Sequence, residues 1–164
     1  MREYNLTPVL ETFLYGVQLN LKTLWDLLKI RQWLEVAVLD EVIQAIGEAE
    51  LSQLEGILAE WEARAAREES FSDLDEQFHR VLYSILDNQI MLQLSNVFWI
   101  LNKQLRTSGQ QNLQIGMGQQ TVQEHRAILE AIRARDLARA QAAVRQSYAH
   151  GMAGLLALLD AGEA

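Results

Sequence analysis

The sequence has no cysteine. Disulfides, zinc ribbons and thiol nucleophiles are therefore excluded, and the chain suits a reducing compartment. Proline occurs once and glycine nine times in 164 residues, too sparsely for a turn-dense β fold. No charged-then-apolar leader opens the chain, and no uninterrupted apolar run is long enough to span a bilayer. The expectation is a cytoplasmic protein that does not enter the membrane. Positive charge is also scarce: 14 Lys and Arg stand against 22 Asp and Glu, for a net charge of −8. A nucleic-acid reader carries a basic face instead. Arg126, Arg133, Arg135, Arg139 and Arg145 cluster late, but they alternate with Glu124, Glu130 and Asp136, as residues of a solvated helix face do. There is no G-x-S-x-G and no P-loop. Ile115-Gly-Met-Gly118 lacks a preceding strand and a Lys-Ser/Thr ending, so it reads as a loop and not as a phosphate cradle.

What the sequence does have is helical periodicity from end to end. Thr7-Pro8 offers a capping hydroxyl and a proline at the first helical position, followed by Leu10, Phe13, Leu14 and Val17. A longer helix is predicted from about Thr23 to Ile46, with Leu24, Leu27, Leu28, Arg31, Leu34, Val38, Val42 and Ile46 near one face and Gly47 as its stop. The next covers about Leu51 to Ala66. Ser72 is the expected cap of a helix with Leu74, Phe78, Val81, Leu82 and Ile85 on one face, ending at Asn88. Another runs from about Gln89 to Arg106. Thr107 to Gly118 is the one long polar break. Two final helices, Gln119–Ala134 and Leu137–Leu159, are joined by a tight turn in which Asp136 caps the second. A short loop makes that pair antiparallel. The sum is an all-α antiparallel bundle of six or seven helices, expected as one domain over residues 1–164, with no internal repeat and no sustained heptad.

Polar residues on apolar faces mark the candidate site. Asp75 and His79 are four apart and share a helical face with Phe78 and Leu82. His125 lies near the apolar side of its helix, with Val122, Ile128, Leu129 and Ile132. His150 is on the last helix, and antiparallel packing can bring the Ser147–His150 region toward His125. One carboxylate and two or three imidazoles inside a bundle suit Zn²⁺, Ni²⁺, Mn²⁺ or Fe²⁺. Plainer readings compete. Asp75 stands three residues after Ser72, where a capping-box acid stands, and a lone inward histidine is commonly a hydrogen-bonded core residue. Glu76-Gln-Phe-His79 spells E-x-x-H, but a di-iron bundle needs two such pairs and the sequence has no second.

Asp75-Glu-Gln-Phe-His79, Asn88, Glu124-His125-Arg-Ala-Ile128-Leu-Glu-Ala-Ile132, Asp136 and Ala140 follow one another in that order, with Arg31-Gln-Trp-Leu34-Glu35 upstream. From about residue 23 to 150 this succession resembles the FadR C-terminal domain (FCD) family of GntR-type transcription regulators. The resemblance implies a dimer-forming helical bundle around an effector pocket, normally preceded by a winged helix-turn-helix. Residues 1–22 are too short to hold such a head, so DNA contact is expected only through a domain outside this chain. Many members bind a divalent metal through the Asp and His of D-x-x-x-H, the His of E-H and a final His. A small carboxylate then completes the coordination. One branch lacks the metal and binds a fatty-acyl ligand.

By that resemblance the metal ligands are Asp75, His79 and His125, with Zn, Ni or Mn as the ion. The final His position is Ser147 here. His150 lies three residues further on, rotated by about 60°. Three outcomes stay open: His150 substitutes, or three protein ligands are joined by water, or the metal is lost. The family's acid before the early arginine is Lys29. Arg31, Asn88 and Ser147 are the candidate effector contacts, Arg31 by a bidentate grip on the acid. Arg31 in a surface or helix-pair salt bridge and Asn88 as the C-cap of its helix are the plainer alternatives. The expected function is the ligand-sensing, homodimerising half of a regulator, without catalysis. A metal-dependent bundle enzyme and a ligand-free interaction module are the alternatives. The acidic balance predicts no sequence-selective DNA binding by this chain. Gel shifts at physiological salt should show none, and a tight selective complex would contradict it.

Overall fold

The computed structural model describes residues 21–107 and 118–162, with Pro8 and Thr12 before them. Among the described residues there are six helices and no strand: α1 (Leu21–Ala45), α2 (Glu48–Ala66), α3 (Ser72–Ser84), α4 (Gln89–Thr107), α5 (Gly118–Arg133) and α6 (Leu137–Gly162). No described helix is long and apolar enough to cross a membrane. The expected helix at Leu10–Val17 and most of the expected break at 107–118 lie outside the described residues. Only a bond from the Thr12 hydroxyl to the Pro8 carbonyl, 2.9 Å, belongs to that first stretch.

The turns explain where the helices stop. Gly47 caps α2, and the Glu50 carboxylate reaches back to its N–H at 3.0 Å, the reciprocal half of a capping box. Between α5 and α6, Arg135 takes a positive φ of 57° and donates to the Ile46 carbonyl at 2.8 Å. Asp136 then caps α6, accepting from the Arg139 N–H at 3.0 Å. One expected cap is corrected. Ser72 is the first helical residue, and the N-cap of α3 is Phe71, which makes no side-chain cap bond. Phe71 is held by burial instead, its ring 5.2 Å from that of Trp61. Its apolar packing fixes the chain entry that a hydroxyl was expected to fix.

Helix α6 packs on both α5 and α1, α2 on α3 and α5, and α4 on α3 and α1. The main apolar core runs through α1, α2, α3, α5 and α6, with Leu54, Leu58, Trp61, Phe78, Ala131, Ile132 and Ala140 fully covered. A second patch joins Leu24 to Leu155, with Trp25 and Leu28 against it. The outer faces carry ion pairs, including Arg126–Glu62 at 2.8 Å, Arg133–Glu55 at 2.5 Å and Arg139–Glu130 at 3.0 Å. These arginines lie on the solvated faces, as their alternation with acids suggested, and they also bridge neighbouring helices. The core sets one expected outcome. Leu54→Ala should cost about 2–5 kcal/mol by leaving a cavity, whereas Asp136→Ala should cost about 0.5–2 kcal/mol through the lost cap. Urea midpoints would check the order, and equal losses would contradict it.

Candidate metal centre

Helix α3 turns Leu74, Phe78 and Leu82 into the core. Residues one helical turn apart share that face, so Asp75 and His79 are carried inward with them. Helix α5 does the same for His125, between Val122 and Ile128. The three side chains meet. Asp75 Oδ1 lies 3.3 Å from His79 Nε2 and 3.3 Å from His125 Nε2, and the two ring nitrogens are 3.3 Å apart. Asp75 Oδ1 makes no aligned hydrogen bond in this buried place. Aromatic rings wall the cluster: Trp61 and Phe78 stand 4.6 and 5.0 Å from the His125 ring.

The far side of each imidazole is also occupied. His125 Nδ1 faces the Thr121 carbonyl at 2.8 Å, so a proton sits there, and in the neutral ring the Nε2 lone pair points at the cluster. His79 Nδ1 lies 3.2 Å from Glu35 Oε1, within hydrogen-bonding reach though bent. Glu35 in turn accepts from Arg31 Nε at 2.8 Å. The Arg31 guanidinium lies over the Trp99 ring, 4.5 Å from its centroid, and 5.8 Å from that of Tyr148. The Tyr83, Tyr148 and Trp99 polar atoms are buried without an aligned partner.

Charge follows from this packing. Burial opposes ionisation of Asp75, but the His125 and His79 rings beside it outweigh that and hold the carboxyl well below its usual range. Burial likewise opposes the Glu35 carboxylate, and His79 and Arg31 overcome it, with Tyr83 and Tyr148 assisting. His125 is raised above an ordinary imidazole: burial works against its charge, but Asp75 and the Thr121 carbonyl prevail. Burial, with the Arg31 charge, pushes His79 down despite the nearby acids.

The donor set fits a divalent ion. Zinc–nitrogen and zinc–oxygen bonds of about 2.0–2.1 Å put two tetrahedral ligands about 3.3–3.4 Å apart. The three edges observed match that spacing. Two imidazoles and a carboxylate leave a fourth position free, the pattern of a site that also takes an exogenous ligand. Among the described residues this is the one cluster of three or more such ligands.

The other expected residues lie elsewhere. His150 is not in the cluster; its Nδ1 sits 2.5 Å from Glu124 Oε1, and the side chain is 44% exposed. Ser147 donates to the Val144 carbonyl at 2.9 Å. Asn88 is exposed and accepts from the Met91 N–H at 3.1 Å, so it caps the start of α4 and is not the expected end of α3, which stops at Ser84 with Ile85 as its C-cap. Arg31 is buried beside the cluster but engaged with Glu35. Lys29 lies over the Trp25 ring at 5.5 Å. Glu76, of the E-x-x-H pattern, pairs with Arg80. Both line a cleft of about 300 Å³ on α3 and α4 together with Asn96 and Trp99. Glu35, Tyr83, Trp99 and Tyr148 are the site neighbours that the sequence did not single out as such. For Glu35 the available signal was an acid four residues after an inward arginine.

No curated protein matches the sequence. A family model, the FCD domain, matches residues 26–150, which takes in nearly all of α1 and reaches into α6. FCD domains are the effector-binding domains of GntR-family regulators. The inward Asp75, His79 and His125 on an all-α bundle, and a match over most of its length, place this chain in the FCD domain family.

Proposed function

We propose that this chain is the ligand-sensing and homodimerising domain of a GntR/FadR-type transcription regulator. It binds a small carboxylate through a divalent metal held by Asp75, His79 and His125. The observation that carries this reading is the triangle of 3.3 Å contacts among three electron-rich atoms in a buried place. With both imidazoles neutral, an ionised carboxylate oxygen and two lone pairs face one another, which a low-dielectric interior penalises. A cation at their centre turns that repulsion into bonding. The protein is proposed to act in the cytoplasm as one domain of residues 1–164, and to reach DNA only through a winged-helix head outside this chain.

Charge balance supports an anionic effector. Arg31 supplies one positive charge, Glu35 and Asp75 two negative ones. A divalent ion tips the buried centre to a single positive charge, and one carboxylate restores neutrality. That carboxylate takes the fourth position, where water stands otherwise. Ser147 and His150, one turn apart on α6, are the candidates the sequence offers to support it. His150→Ala tests the second: retained metal content assigns the fourth position to a water or effector.

Two outcomes are expected. Metal must displace the proton that His125 holds above the ordinary imidazole value, because only the neutral ring is a ligand. Affinity for Zn²⁺ should therefore fall as pH drops, beginning above about pH 6.5, and level off at high pH where the ring is already neutral. Competition titration against a chelator at several pH values checks the sign, and an affinity that rises on acidification would contradict it. Added Zn²⁺ should raise the melting temperature by mass action, and an organic-acid screen should contain a compound that raises it further. His79→Ala should abolish both shifts. Wild-type protein that takes up no first-row metal would overturn the metal reading and direct attention to the metal-free branch of the family.

A further inference from the structure

Glu35 is more deeply enclosed than a counter-ion for Arg31 requires. It lies on α1 with 5% of its side chain exposed, and its Oε1 serves two partners at once. Arg31, one turn back on the same helix, donates from Nε at 2.8 Å. His79, from α3, brings Nδ1 to the same oxygen at 3.2 Å. Nδ1 of His79 is buried and makes no aligned hydrogen bond, that to Glu35 being bent, so Glu35 Oε1 at 3.2 Å is the acceptor a proton on it would face.

A neutral imidazole has two nitrogens and one proton, and the acceptor on one side decides which nitrogen keeps a lone pair. His125 is set by a backbone carbonyl, that of Thr121, which no side-chain change removes. His79 has no such carbonyl. Its orientation is delegated to a side chain from another helix, and a charged one. A carboxylate in that place both fixes the tautomer and raises the basicity of the opposite nitrogen.

We propose that Glu35 is the positioning residue of the centre: it holds His79 as the Nδ1–H tautomer, with Nε2 bare toward Asp75 and His125, and anchors Arg31 alongside. This rests on the metal reading above. The site is thereby set before an ion arrives, and the guanidinium that would meet an anionic ligand is tied to the same carboxylate as a metal-binding ring. A Glu35 that merely neutralises Arg31 has no say in which nitrogen of His79 carries the proton.

The test compares wild type with Glu35→Gln in two measurements. The first is the ¹⁵N spectrum of the histidine rings in metal-free protein, at a pH where both buried rings are neutral. Wild-type His79 should show a protonated Nδ1 and a bare Nε2, and Glu35→Gln should shift toward the other tautomer or a mixture. The second is Zn²⁺ affinity by chelator competition. Glu35→Gln should lose about 10- to 100-fold, the usual cost of removing an outer partner of a ligating histidine. Wild-type His79 protonated on Nε2 overturns the proposal even if the variant does not fold. Unchanged tautomer and Zn²⁺ affinity within about twofold of wild type overturn the role of Glu35 alone. Absence of Zn²⁺ binding by wild type overturns the metal reading and, with it, this one.

Discussion

Three electron-rich atoms held 3.3 Å apart in a buried pocket are the constraint on which the rest of this structure turns. With both rings neutral and both Nε2 atoms bare, one carboxylate oxygen and two imidazole lone pairs would separate or draw in water. They stay because α3 and α5 are locked by the core on either side. Phe78 is fully covered between Asp75 and His79 in sequence, and Ile128 and Ile132 fix the face of α5 that carries His125. The packing of apolar side chains thus keeps the polar ones together. A close-packed interior has few voids into which they could move apart.

Around that triangle the charges are arranged in a chain. Arg31 holds Glu35, Glu35 faces His79, His79 and His125 share Asp75, and His125 is steadied by the Thr121 carbonyl. Five helices meet through this chain once the Tyr148 and Trp99 rings beside Arg31 are included. Any change in charge at the triangle is felt at Arg31 through one shared carboxylate. The acid sensing proposed above requires such a path, since a ligand shifts a structure only by interacting differently with its alternative states.

Much of the fold was legible because helices announce themselves locally. The 3.6-residue spacing located α1 through α6 to within a few residues, Gly47 and Asp136 marked real boundaries, and Asp75 with His79 could be paired from spacing alone. What the sequence concealed lies in convergence. Glu35 gave only an acid one turn after Arg31, and its partner His79 comes 44 positions later on another helix. Tyr83, Trp99 and Tyr148 belong to no motif in the sequence, and only packing brings them to Arg31 and Glu35. Ser72 looked like a cap because hydroxyls cap helices, but the burial of Phe71 against Trp61 fixed the helix start one residue earlier. The departure at the fourth ligand position was visible as Ser147 in place of histidine. That His150 would turn outward to Glu124 depends on the rotation of α6 in the packed bundle, which no local pattern encodes.

X-ray absorption at the zinc edge, on protein loaded with one equivalent of Zn²⁺ and freed of excess, addresses the central claim most directly. The account predicts a first shell of nitrogen and oxygen at about 2.0–2.1 Å, with outer-shell scattering from two imidazole rings that is lost in step with His79→Ala and His125→Ala. A spectrum without imidazole scattering, or one that survives both substitutions, would contradict it.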